Sequence, residues 1–126
     1  MERDIYDLKR EMEKGIYSWG EHTRNPFTNT TYTDYGQKVA CDAVREAIKT
    51  YGTHHHDPDG MPYYEVRFKK PVKSTVTGDD IVSVRLKTMT GYIVLHSLEY
   101  NKGYGSNLLY ESELRMIMDE IEKSLS

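Results

Sequence analysis

The chain of 126 residues is poor in several things: it has one cysteine, Cys41, four prolines, two phenylalanines and one tryptophan, and its longest apolar run is residues 92–95. A lone cysteine excludes an internal disulfide framework and a cysteine-built structural zinc site, so a reducing compartment is expected. The short apolar runs exclude a membrane-spanning helix, and the start Met1, Glu2, Arg3, Asp4 lacks the pattern of a secretory signal. Internal repeats, low-complexity tracts, a nucleophile elbow and a Walker loop are also missing. The expectation is a single α+β domain over residues 1–126, cytoplasmic, which by size scaling buries roughly two thirds of its unfolded surface without staples.

The net charge of -3 is small, but it is unevenly spread. Residues 62–89 carry six basic against three acidic side chains, a local +3, whereas residues 107–126 carry two against five, a local -3. Eleven tyrosines against two phenylalanines add a second bias, because a phenol pairs an apolar ring with a polar tip and suits half-buried or binding surfaces.

Periodicity divides the chain. Ile5, Leu8, Met12, Ile16 and Trp19 recur at steps of three and four and predict a helix over residues 2–19, its last turn weakened by about 1 kcal/mol at Gly15. Residues 20–33 form a polar connection, with 27–32 as a candidate short strand. Asp34 and Gln37 have capping-box spacing ahead of Ala40, Ala43, Val44, Ala47, Ile48 and Tyr51, and Gly52 ends that second helix. Residues 53–61 are expected to be a loop. The period then falls to two: Tyr64, Val66 and Phe68 alternate with Glu65, Arg67 and Lys69, Pro71 interrupts, and Val82, Val84 and Leu86 alternate with Ser83, Arg85 and Lys87. Thr90 and Gly91 suggest a two-residue hairpin into a strand over 92–100, which would set Met89 opposite Tyr92 and Arg85 opposite His96. Tyr110, Leu114, Ile117, Met118, Ile121 and Leu125 predict a closing helix over 108–125. The fold class expected is α+β: two N-terminal helices, a three- to four-stranded mainly antiparallel sheet, and a C-terminal helix packed on one sheet face.

Three groups of residues could carry function. Lys102, Gly103, Gly105 and Ser106 lie between a strand and a helix start, where backbone amides and the helix dipole favour an anion. With Leu108 and Leu109 following, Gly103, Tyr104 and Gly105 resemble the pyrophosphate loop of the GNAT family of N-acetyltransferases. That resemblance implies coenzyme A binding and acetyl transfer by a truncated member, with Tyr100 standing where the family has Arg or Gln; nucleotide binding without turnover is a related option. His54 and His56, pointing the same way in an extended loop, with Asp59 nearby, are candidate metal ligands, although a loop gives such ligands little support.

The third group is Arg67, Lys69, Arg85, Lys87 and His96 with Tyr63 and Tyr100, all assigned to the sheet face that the helices leave uncovered. No catalytic set is complete, and no cofactor is expected. The leading expectation is therefore a non-enzymatic binding protein, an adaptor or inhibitor, that engages an acidic or nucleic-acid-containing partner through this face. The partner is a protein, a protein–nucleic-acid complex or nucleic acid itself, with a second copy of the chain as a further occupant and no membrane.

Overall fold

The computed structural model describes residues 4–22, 35–99, 103–106 and 109–125, the side chains of 19–22, 35 and 106 excepted. Its elements run α1 (Ile5–His22), α2 (Tyr35–Tyr51), β1 (Thr53–His56), β2 (Pro62–Lys73), β3 (Asp80–Lys87), β4 (Tyr92–Ser97), β5 (Gly103–Ser106) and α3 (Glu111–Ser124). The five strands form one antiparallel meander in the order β1, β2, β3, β4, β5. The fold is thus α+β as expected, with two more edge strands than the three clear period-two runs reveal. The candidate strand at 27–32 lies outside the described residues.

Pleating decides which residues are buried, because alternate side chains point to opposite faces. Val66, Phe68, Val84, Leu86, Ile93 and Leu95 face the helices and join Leu8, Met12, Val44, Ile48, Leu114, Ile117, Met118 and Ile121 in one core. The helical stripes read from the sequence meet there except at Tyr110 and Leu125, which are exposed and flank α3, and at Trp19, whose side chain lies outside the described residues.

Gly15 does not fray α1, which continues to His22. A Cβ at this position would lie 2.6 Å from both the Ala40 nitrogen and the Gly36 oxygen, so the glycine lets α1 and α2 cross backbone against backbone. At the start of α2, Gln37 is buried with its Oε1 accepting no hydrogen bond, and Asp34, the other half of the expected capping box, lies outside the described residues. Cys41 is fully buried, and burial pushes its thiol pKa up, which suits an inert core residue. On α3, Asp119 and Lys123 do not pair as their spacing suggests; Asp119 meets Lys9 of α1 at 3.0 Å and Lys123 meets Glu120 at 3.0 Å.

The β3–β4 connection spans four residues, 88–91, so Lys87 pairs with Tyr92, Arg85 with Val94 and Ser83 with His96. The expected register is therefore off by two residues. A slip of two restores every side chain to its own face, whereas a slip of one would have inverted the strand.

Candidate functional site

The face turned away from the helices is built from three transverse rows. One holds His55, Tyr63, Lys87 and Tyr92; the next Thr53, Glu65, Arg85, Val94 and Gly105; the third Arg67, Ser83, His96 and Gly103. Five of the expected residues, Tyr63, Arg67, Arg85, Lys87 and His96, share this surface. Lys69 falls where β2 loses register between Arg67 and Val72, and it lines a cleft against α3. Tyr100 and Lys102 lie outside the described residues.

The centre of the face is Glu65, whose role the sequence reading missed. Only 8% of it is exposed. Arg85 Nε donates to its Oε2 at 2.8 Å, and Arg67 Nε stands 3.6 Å from its Oε1. Burial alone would raise the Glu65 pKa, but the Arg85 hydrogen bond, the two guanidinium charges and the Ser83 hydroxyl outweigh it and leave the carboxyl below its ordinary value. The signal for this lay in the alternation: a glutamate flanked by Arg67 on its own strand and by Arg85 across the ladder is the natural acceptor for both.

The two arginines differ in availability. The Arg67 side chain is 73% exposed, while Arg85 is 26% exposed and its guanidinium lies over the Tyr63 ring, 4.6 Å from the centroid. The His55 ring stacks on the same tyrosine at 5.4 Å and 25°. Tyr63 is thus engaged by its neighbours, and Tyr92, exposed in the same row, is the free ring. Lys87 approaches Asp57 at 3.7 Å.

His96 sits half-buried on β4, and its Nε2 is shut from solvent without a hydrogen-bond partner. Burial first, then the charges of Arg85 and Lys87, lower its pKa against the opposing pull of Glu65. The ring therefore stays neutral at pH 7 and presents a nitrogen with an unused lone pair or proton.

The glycine stretch differs from expectation in kind. Gly103–Ser106 is strand β5, paired to β4. Successive amides in a strand point in opposite directions, so these do not converge on one anion as they would in a phosphate cradle. The reason glycine is needed is contact: a Cβ on Gly105 would stand 2.3 Å from the Ile93 oxygen. Tyr104, between the glycines, points to the helix side and donates to Glu113 Oε2 at 2.7 Å, with Ser74 Oγ also 2.7 Å away. Burial is the main reason its phenol pKa is pushed up to about 12. This is a structural tie between β5, the β2–β3 turn and the start of α3.

His54 and His56 are likewise on a strand, β1, where pairing with Tyr64 and Pro62 replaces the expected loop. Their rings meet edge to face at 4.9 Å, and His54 also touches Tyr64 at 5.0 Å. Asp59 belongs to the following turn, which Asp57 Oδ1 closes by accepting the amides of Asp59 and Met61. Among the described residues no three His, Cys, Asp or Glu side chains gather to hold a metal ion, and no described helix is long and apolar enough to cross a membrane.

Comparison of the chain with protein-family models, with curated proteins and with solved structures finds no match.

Proposed function

We propose that this is a non-enzymatic binding protein, an adaptor or inhibitor, whose sheet face turned away from the described helices engages an acidic or nucleic-acid-containing partner. The observation that carries the reading is the set of Arg67, Arg85 and Lys87 on one face around a single buried carboxylate. Glu65 holds Arg85 in place by a 2.8 Å hydrogen bond before a partner arrives, so less of its side-chain entropy is lost on binding, while Arg67, 3.6 Å from the carboxylate and mostly exposed, extends toward solvent. Charge complementarity of this type sets encounter rate and specificity, and it weakens with salt. Because Tyr63 is already covered by Arg85 and His55, recognition rests on carboxylate or phosphate groups more than on base stacking.

Arg67 and Lys87 are the side chains to change, since removing Arg85 would strand Glu65. Fluorescence anisotropy at low salt with labelled poly-L-glutamate and with a single-stranded thymidine oligonucleotide should show binding to at least one probe. The double variant Arg67→Gln/Lys87→Gln should weaken it by about tenfold or more. Wild-type protein that binds neither probe, or a variant that binds as tightly as wild type, would overturn the proposal.

A further inference from the structure

A second basic surface lies away from the sheet face. Between Arg67 and Val72 the β2 strand leaves its register with β3, and Pro71, which has no amide to donate, sits inside the break. The chain bulges outward there, with Lys69, Lys70 and Pro71 exposed, and it opens a cleft of about 490 Å³ against the last turns of α3. The lining is Lys69, Lys70, Pro71, Val72, Glu120 and Lys123. Bulges of this kind recur where a strand re-aims side chains at a ligand.

The lining carries more lysines than carboxylates. Glu120 is its single carboxylate, it is buried, and Lys123 binds it at 3.0 Å, which leaves the lining at three cations against one anion. Lys70 has no carboxylate partner among the described residues, and Lys73 adds another exposed ammonium two residues past Pro71. Ammonium groups on flexible stems act on phosphate as point charges, while Pro71 and Val72 supply an apolar floor beside them. The volume falls within the roughly 300–1,000 Å³ usual for small-ligand clefts.

We propose that the cleft between the β2 bulge and the end of α3 binds a phosphate chain, a di- or triphosphate either free or carried on a nucleotide. The anion site expected at the glycines thereby moves to lysines that the bulge gathers. It is independent of the partner-binding reading, because it uses neither Arg67 nor Lys87.

Isothermal titration calorimetry of the full chain at low salt, with sodium tripolyphosphate in one arm and magnesium-free ATP in the other, tests it. Binding of both probes with similar affinity assigns the site to phosphate alone, and tighter binding of ATP assigns it to a nucleotide. Lys70→Glu should weaken either by about tenfold, the worth of one charge-assisted hydrogen bond, and Lys38→Gln, on α2 outside both basic surfaces, should leave both unchanged. No heat from either probe overturns the proposal. Equal loss with Lys38→Gln also overturns it, since the attraction would then be diffuse. Amide shift changes confined to residues 69–73 and 120–123 in heteronuclear NMR spectra support it even where the heat is small, and changes spread over β3 and β4 count against it.

Discussion

The two faces of the sheet are made by the same strands and obey different physics. On β4, Ile93 and Leu95 are fully buried against the helices, while Val94 and His96, their immediate neighbours, lie on the side that no described helix covers. The helix side is held by apolar burial, which is non-directional and large in sum. The other side is held by a charge centre in which one carboxylate answers two arginines. Contacts of the first kind make the fold stable. Those of the second add little net stability, since desolvation offsets attraction, but they fix the position of groups that a partner can read.

The largest effect should come from the helix side. Leu95→Ala leaves a cavity in the apolar core beside its ladder partner Val84 and should cost about 3 kcal/mol in urea unfolding. Arg85→Ala, on the other face, should cost about 2 kcal/mol, because it strips the buried Glu65 of its charged donor. If the Arg85 variant proved the more damaging, the division of labour between the faces would fail.

The pH dependence sharpens the same contrast. The Glu65 carboxyl is depressed in the folded state, so its contribution is present above the unfolded value of about 4.3 and is lost as pH falls through the lower folded value. In Arg85→Ala, burial dominates instead and lifts the carboxyl above its unfolded value, so the sign reverses: the variant should gain stability as pH falls through that raised value. His96 is also depressed, which means that acidification below about 6.5 charges the unfolded chain first and draws stability away. The midpoint of its ring carbon–proton shifts by NMR should lie below 6.5, and a midpoint above that value would remove the account of a buried, cation-flanked ring. The smallest effect on stability belongs to Arg67→Gln, within about 0.5 kcal/mol by thermal melting, because that side chain is mostly in water.

Much of this was legible where one period ran long enough to decide a face. The stripe of α2 and the alternation of β2 and β3 placed Tyr63, Arg67, Arg85, Lys87 and His96 together, and an error of two in the hairpin left that grouping intact. β1 and β5 were not legible, because Thr53–His56 and Gly103–Ser106 are short and rich in His and Gly, types with no strong strand preference; they are strands because a neighbour offers an open edge. Glu65 escaped for another reason: its importance depends on which residue lies across the ladder, and that is a property of register rather than of local sequence. The cross-helix pairs Lys9 with Asp119 and Arg115 with Glu13 were hidden in the same way, behind plausible pairs within one helix.

The most direct test of the sheet face away from the described helices as the working surface is a heteronuclear NMR titration of the intact chain with poly-L-glutamate and with the thymidine oligonucleotide. The account predicts amide shifts centred on residues 63–67, 83–87 and 94–96 for at least one probe, reduced as salt is raised. Shifts centred on α1 or α2 instead, or no shifts with either probe, would contradict it.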